Sequence, residues 1–260
     1  MALFAGNIFS RTMMMETQLY VSMPQDGRYY KKAPPPKTLI LLHGISDNAA
    51  GWIRNSMAEF MANQYGIALV VPEVQRSFYQ DMKYGLPYYS YITRELPGLV
   101  SELFHLSVKR EDLMVAGLSM GGYGALKCAF GSPDVFSACG AFSSACDVRH
   151  MAANYQELEG VGEVGYRMGP ELAGQFGEDR KVPDDSDLYL LVEKTSKAAV
   201  RPRLYMTCGT EDGLLEMNHR LRDHIKSLSV DCIYEEWTGI HDWIFWNESL
   251  RRMLAHFLAA

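Results

Sequence analysis

The sequence contains little that suits a nucleic acid or a membrane. Its 25 lysines and arginines are outnumbered by 31 aspartates and glutamates, which gives a formal net charge of −6 at pH 7. A nucleic-acid partner is not expected, because such binding requires a basic face. No apolar run approaches the roughly 20 residues that a membrane-spanning helix needs. The short apolar stretch at residues 1–9 lacks the preceding basic segment of a signal peptide.

Cysteine is scarce, and its spacing does not suit a metal site. The five cysteines are an odd number, and no pair has the separation typical of zinc ligands. Most have apolar neighbours in the sequence, where a reduced cysteine packs as a small hydrophobic residue. With no signal peptide expected, these features predict a protein of the reducing cytoplasm that needs no metal or other cofactor.

Apolar segments of strand length recur along the chain and alternate with stretches of helical periodicity. This alternation predicts an α/β fold with a mainly parallel central sheet and helices on both faces. At 260 residues, we expect a single domain spanning 1–260. The predicted buried strands lie at residues 38–42, 67–71, 113–118, 135–145 and 203–208.

Other segments complete the predicted fold. Two strands are expected within residues 2–23, and residues 230–237 alternate as a strand nearer the sheet edge. A helix is predicted from Tyr89 to Phe104, with a kink at Pro97-Gly98. The alternation breaks between residues 146 and 200, where glycines are frequent and one helix is expected near Leu188 to Ser196. We predict that this segment is a cap-like insertion.

A glycine-rich turn with a central serine follows the strand at 113–118. Gly117-x-Ser119-x-Gly121 has the form of a nucleophile elbow, in which a sharp strand-to-helix turn exposes the serine hydroxyl. Glycines suit such a turn because side chains at these positions would clash with the adjoining strand and helix. The backbone N–H of Met120 then lies at a helix N-terminus, where an anion is favoured. Ser119 is therefore the candidate nucleophile.

A serine nucleophile needs a base, normally a histidine oriented by a carboxylate. His241 follows the last predicted strand, and Asp212 follows the strand before it, which gives the order serine, acid, histidine typical of α/β-hydrolases. Glu211 competes with Asp212 as the acid; Asp212 is preferred because it adjoins Gly213 at the turn into a helix. Spacing alone does not decide between them.

Further residues near these loops are candidates for binding the substrate. A second oxyanion donor beside Met120 should come from the loop after an earlier strand, and the N–H of Ile45 is our choice. His43, in the same loop, is expected to be structural. Trp52 and Trp243 are candidates for lining the substrate pocket, whereas Trp246, which lies within the last predicted helix, is expected to pack in the core.

These motifs together resemble the tributyrin esterase branch of the esterase D-like α/β-hydrolases. The resemblance rests on His43-Gly44, the segment from Gly117 to Leu126, Gly209-x-x-Asp212 and His241-Asp242-Trp243-x-Phe245-Trp246, and it covers nearly the whole chain. It implies an α/β-hydrolase core with a small cap and a cytoplasmic carboxylesterase acting on short acyl esters. The family often forms oligomers, so a homo-oligomer is an open alternative.

The same serine, histidine and aspartate would serve other reactions. The alternatives are an S-formylglutathione hydrolase-like thioesterase, a feruloyl or acetyl esterase, and an acyltransferase, which differ in acyl group, leaving group or acceptor. A more distant alternative is a non-catalytic binding protein with the hydrolase fold. Such proteins usually lack a member of the triad, and here none is missing.

Overall fold

The strands of the computed structural model, which describes residues 1–25, 34–158 and 167–258, form one eight-stranded sheet. Its order is β1-β2-β4-β3-β5-β6-β7-β8. β1 and β4 each pair antiparallel with β2, and the other neighbours pair in parallel, which confirms the mainly parallel sheet. The strands are β1 (Ala2–Ser10), β2 (Met15–Met23), β3 (Thr38–Leu42), β4 (Ala68–Pro72), β5 (Leu113–Leu118), β6 (Ala138–Phe142), β7 (Arg203–Gly209) and β8 (Cys232–Trp237).

Helices connect the strands and cover both faces of the sheet. None of the helices in the described ranges is long and apolar enough to cross a membrane. They are α1 (Gly51–Asn55), α2 (Ala58–Tyr65), α3 (Tyr88–Ser90, a π-helical turn Tyr91–Glu95, then Leu96–Phe104), α4 (Met120–Gly131), α5 (Val148–Ala153), α6 (Tyr155–Leu158), α7 (Met168–Phe176), α8 (Leu188–Ser196), α9 (Leu215–Ser227) and α10 (Trp243–Leu258).

The central strands are buried on both sides, which explains why they are continuously apolar. In β3, Leu39 and Leu41 belong to one core, and Ile40 and Leu42 belong to the other. Successive side chains of a strand point to opposite faces, so one strand contributes to both cores. Helices α1, α2 and α10 pack on the first core, whereas α3, α4, α8 and α9 pack on the second.

The irregularity in α3 lies upstream of the position predicted from the sequence. A kink was expected at Pro97-Gly98, but the structure has a π-helical turn at Tyr91–Glu95. Pro97 follows as the second residue of the next α-helical segment, where a missing backbone N–H is tolerated. The turn carries Glu95, whose carboxylate accepts hydrogen bonds from the Ser10 hydroxyl at 2.6 Å and the Arg11 N–H at 2.7 Å.

The segment from 146 to 200 contains more helix than the single one expected. Helix α8 lies where it was predicted, but α5, α6 and α7 were missed. Helix α5 has only six residues, and the Asp147 side chain caps it by accepting from the N–H of His150 at 3.0 Å. Part of the glycine-rich stretch, residues 159–166, lies outside the described residues.

Candidate active site

A cavity of about 510 Å³ lies beyond the carboxyl ends of β3, β5 and β7. In a parallel sheet these ends meet at one edge, which is where α/β proteins place their sites. Ile45, Ser119, Met120, Asp212 and His241 all line this cavity. The structure thus brings together the proposed nucleophile, acid and base and both predicted oxyanion donors.

Ser119 stands on the sharp turn between β5 and α4. Its φ of 55° and ψ of −118° are unusual for a residue other than glycine. Backbone bonds hold this conformation, because the Ser119 N–H donates to Phe142 O at 2.9 Å and its carbonyl accepts from Ala145 N at 3.1 Å. These bonds fix the backbone of Ser119 in its strained conformation. Its side chain is partly exposed in the cavity.

The two glycines beside Ser119 are required by close backbone contacts. A Cβ atom on Gly117 would lie 2.2 Å from the carbonyl oxygen of Gly121. A Cβ atom on Gly121 would lie 2.2 Å from the carbonyl oxygen of Leu42. The turn is this tight because β5, the start of α4 and the end of β3 lie in direct backbone contact. Glycine makes that contact possible, since it has no side chain to separate them.

His241 and Asp212 form a direct pair in the cavity. The Nδ1 atom of His241 lies 2.9 Å from Oδ2 of Asp212, whose side chain is buried. Burial opposes ionisation of Asp212, but its hydrogen bonds from His241 and Leu214 outweigh that effect and lower its pKa below the usual aspartate value. Glu211 is exposed, so the geometry favours Asp212 as the histidine's partner.

The loops that carry Asp212 and His241 are held against each other by their backbones. The N–H of Glu211 donates to Gly239 O at 3.0 Å, and the N–H of Thr210 donates to Trp237 O at 3.0 Å. A Cβ atom on Gly209 would lie 2.2 Å from the Gly239 oxygen. This close approach fixes the distance between the two loops and hence the pairing of the side chains.

The two residues predicted to donate backbone N–H groups to an oxyanion, Ile45 and Met120, both line the cavity. Met120 is the first residue of α4, so its N–H has no acceptor within the helix. Ile45 lies in the loop after β3 and lines the same cavity. His43 is fully buried; its Nδ1 lies 2.8 Å from Gly44 O, and its Nε2 accepts from the N–H of Val74 at 3.2 Å. It therefore holds the loop, as predicted.

Two of the tryptophans, Trp52 and Trp243, do not lie in the cavity wall where the sequence-based expectation put them. Trp52 is fully buried, its Nε1–H donates to Leu42 O at 3.0 Å, and it is not among the residues lining the cavity. Trp243 does not line the cavity either; it packs edge-on between Trp52 and Trp246. Trp246 packs in the core, as expected, and it also lines the cavity, with its ring 5.0 Å from that of His241.

Several apolar wall residues were not found from the sequence. Phe78 comes from the loop between β4 and α3, and Met151 and Met168 come from the insertion. No motif marks them, because they reach the cavity through tertiary packing alone. Within residues 1–25, 34–158 and 167–258, no cluster of three histidine, cysteine or acidic side chains could hold a metal ion.

Several known proteins are similar to this chain over nearly its whole length. The model of the Esterase family, described as "Putative esterase", matches residues 10–257. An acetyl esterase from Caldicellulosiruptor saccharolyticus is 29% identical over 257 residues, which is 95% of each chain.

Two solved structures of Staphylococcus aureus proteins are similar to this chain over nearly its full length and share the α/β-hydrolase fold. FphF, a fluorophosphonate-binding serine hydrolase, has a TM-score of 0.88 and 29% identity, covering 100% of this chain and 99% of its own. S-formylglutathione hydrolase FrmB has a TM-score of 0.84 and 30% identity, covering 99% and 98%.

Proposed function

From the premise that this chain belongs to the Esterase family and is a carboxylic ester hydrolase, we propose that it hydrolyses short-chain acyl esters through Ser119, His241 and Asp212. The observation that carries the proposal is the His241–Asp212 pair at 2.9 Å, in the same cavity as a serine on a nucleophile elbow. The pair would hold one tautomer of the imidazole, with Nδ1–H toward Asp212 and Nε2 free to accept a proton.

In the proposed first half-reaction, the Ser119 hydroxyl oxygen attacks the ester carbonyl while His241 accepts the hydroxyl proton. The carbonyl oxygen becomes an oxyanion, stabilised by the N–H groups of Ile45 and Met120. When the tetrahedral intermediate collapses, the bond to the alcohol breaks and His241 gives its proton to the leaving oxygen. Ser119 is left carrying the acyl group.

The second half-reaction repeats the chemistry with water. His241 takes a proton from a water molecule, whose oxygen attacks the acyl carbonyl and again forms an oxyanion. Collapse releases the carboxylic acid and returns the proton to Ser119. Asp212 keeps its negative charge throughout and stabilises the imidazolium that forms at each step.

The walls of the cavity support the preference for short acyl groups. Apolar side chains surround Ser119, among them Phe78, Met151, Met168 and Trp246. Two of these belong to the segment 146–200, which we interpret as a cap within a single domain. Such walls favour burial of a short alkyl chain, at about 0.8 kcal/mol for each methylene that fits.

A thioester substrate is the second candidate, favoured by the 30% identity to an S-formylglutathione hydrolase over nearly the full length of both chains. The same serine chemistry would act on a thioester, with a thiol as the leaving group. Comparing kcat/KM for p-nitrophenyl acetate, p-nitrophenyl butyrate and S-formylglutathione separates the two. A preference for S-formylglutathione by several orders of magnitude would favour the thioesterase.

The nucleophile itself is tested by Ser119→Ala. Hydrolysis of p-nitrophenyl butyrate should fall by about 10⁴-fold or more, because the triad acts as a unit. Ser46→Ala is the matched control, since Ser46 also lines the cavity but has no role in the mechanism. Near-native turnover by a pure, folded Ser119→Ala protein would exclude the serine mechanism.

A further inference from the structure

Four successive carbonyl groups, at the end of β3 and in the loop that follows it, each accept a hydrogen bond. We call residues 43–47 the β3 loop; it contains Ile45, the proposed oxyanion donor. Fixing successive carbonyls restricts rotation of the peptide units and therefore the direction of the intervening N–H groups. Leu42 O accepts from Trp52 Nε1 at 3.0 Å, His43 O from the Tyr79 hydroxyl at 2.8 Å, Gly44 O from Asp47 N at 3.2 Å and Ile45 O from Arg76 Nη1 at 3.2 Å.

Arg76, which donates to the carbonyl of Ile45, differs from the other donors because a residue of the insertion fixes its side chain. Arg76 makes a two-point ion pair with Glu171 on α7, with Nε 2.6 Å from Oε1 and Nη2 3.0 Å from Oε2. Such a paired contact fixes the plane of the guanidinium group, which one point of contact would leave free to rotate. The Glu171 side chain is only 13% exposed, so solvent screens this pair less than a surface one.

Helix α7 is in turn fixed against the loop that carries Arg76. The Gln175 amide donates through Nε2 to Arg76 O at 3.1 Å. The N–H groups of Lys83 and Tyr84 donate to the carbonyls of Gln175 and Gly174, each at 2.9 Å. Met168 lies on the same helix and lines the cavity. The insertion therefore supplies a cavity wall and, one turn later, the carboxylate that holds Arg76.

We propose that Arg76, held by Glu171, is a positioning residue that fixes the β3 loop so that the Ile45 N–H points at the developing oxyanion. The proposal rests on the proposed function, because it takes Ile45 as an oxyanion donor. It assigns the insertion a role in the chemical step besides that of a pocket wall. Loss of a whole oxyanion donor costs about 10²–10³ in kcat, so a donor that is loosened but present should cost about 10-fold.

The test uses conservative substitutions at both ends of the ion pair. Arg76→Lys keeps the charge but loses the planar two-point contact, and Glu171→Gln keeps the shape but loses the charge. For p-nitrophenyl butyrate, each should lower kcat by about 10-fold while KM stays within about twofold. The double variant should be no slower than Arg76→Lys alone, because Glu171 acts through Arg76.

A second readout reports on the oxyanion directly. The serine hydroxyl oxygen adds to the carbonyl carbon of a trifluoromethyl ketone, which gives an anionic tetrahedral adduct. Butyrate binds without forming such an adduct. Inhibition by a trifluoromethyl ketone should weaken about 10-fold in Arg76→Lys, with inhibition by butyrate unchanged. Arg149→Lys is the matched control, because Arg149 pairs with Asp187 at 2.8 Å and both residues lie in the same insertion. It should leave all of these constants within about twofold.

The outcomes separate this inference from the proposed function. If Ser119→Ala is inactive but Arg76→Lys keeps wild-type kcat and trifluoromethyl ketone affinity, the positioning role is wrong and the serine mechanism stands. A fall in kcat with unchanged ketone affinity, or an equal loss in Arg149→Lys, would show a general structural effect and also overturn it. Activity retained by Ser119→Ala would remove both proposals.

Discussion

The Nδ1 atom of His241 lies 2.9 Å from Oδ2 of Asp212, although the two residues are 29 positions apart in the chain. The contact exists because β7 and β8 are parallel neighbours whose carboxyl ends lead into adjacent loops. The buried carboxylate is also anchored by the Leu214 N–H, which donates to Oδ1 at 2.8 Å. Asp212 is thus held from two directions and presents one oxygen to the imidazole.

This arrangement predicts different effects for two adjacent acidic residues. Asp212→Asn should lower kcat by about 10²- to 10⁴-fold, because the amide cannot stabilise the imidazolium and disturbs the tautomer of His241. Glu211→Gln is the matched control and should change kcat by less than about twofold, since Glu211 is exposed. Steady-state hydrolysis of p-nitrophenyl butyrate measures both. The reverse ranking would show that Glu211 is the acid.

The elbow makes a prediction about stability. Gly121→Ala should destabilise the protein by about 2 kcal/mol or more, since the new Cβ would lie 2.2 Å from a backbone oxygen that cannot move aside. Gly98→Ala is the control within another helix, where no atom apart from the adjacent residues and the helix's own backbone lies within 4 Å of the added Cβ. Helix propensity then favours alanine by up to about 1 kcal/mol. Urea unfolding of both variants checks the contrast; equal effects would contradict it.

The Glu95 carboxylate should make stability depend on pH. Burial opposes its ionisation, but hydrogen bonds from Ser10, Thr12 and Arg11 outweigh that effect and place its pKa below the usual 4.5. A lowered folded-state pKa stabilises the fold fully above the unfolded value, and this contribution is lost as the pH falls through the folded value. Glu95→Gln should therefore be less stable than wild type at neutral pH, and the difference should shrink below about pH 4.5.

Chemical denaturation of wild type and Glu95→Gln at a series of pH values measures this difference. Glu102→Gln, on the same helix, is the control and should show no such trend; Glu102 is exposed. A stability difference that stayed constant down to the most acidic pH at which both proteins fold would contradict the role assigned to the charged Glu95.

The parts of the fold and site that sequence reasoning identified are those set by local pattern. Continuous apolar runs revealed the buried strands, because strands covered on both faces have no polar side. The glycines around Ser119 revealed the elbow, where the contacts leave no room for a side chain. The loops of Asp212 and His241 followed from their positions after consecutive strands.

The remainder depends on contacts between distant segments. Helices α5 and α6 are too short to show a helical period, and the Arg76–Glu171 pair joins residues 95 positions apart. Trp246 lines the cavity and Trp243 does not. Predicting this would have required knowing which side of α10 faces the cavity, and the sequence of its first turn does not reveal that. The preference for short acyl esters, the cytoplasmic location and the homo-oligomer stay predictions, because each depends on partners or surroundings beyond the chain.

The insertion should set the acyl-chain preference through two methionines. Met151 and Met168 are almost fully buried and line the cavity beside Ser119. Shortening either to alanine removes three heavy atoms from the wall and leaves space for additional methylenes. Each methylene that becomes buried is worth about 0.8 kcal/mol, or about fourfold in kcat/KM. The chain length at which kcat/KM peaks should therefore increase in Met151→Ala and Met168→Ala.

The measurement is a kcat/KM profile over p-nitrophenyl esters from acetate to decanoate. Truncating a buried methionine commonly costs about 2–5 kcal/mol of stability, so a control with the same cost is needed. Met61→Ala provides it, because Met61 is 7% exposed but packs in the core on the opposite face of the sheet. A peak that moves in Met168→Ala but not in Met61→Ala assigns chain-length selection to the insertion. Peaks that coincide in wild type and all three folded variants would show that other walls select the acyl group.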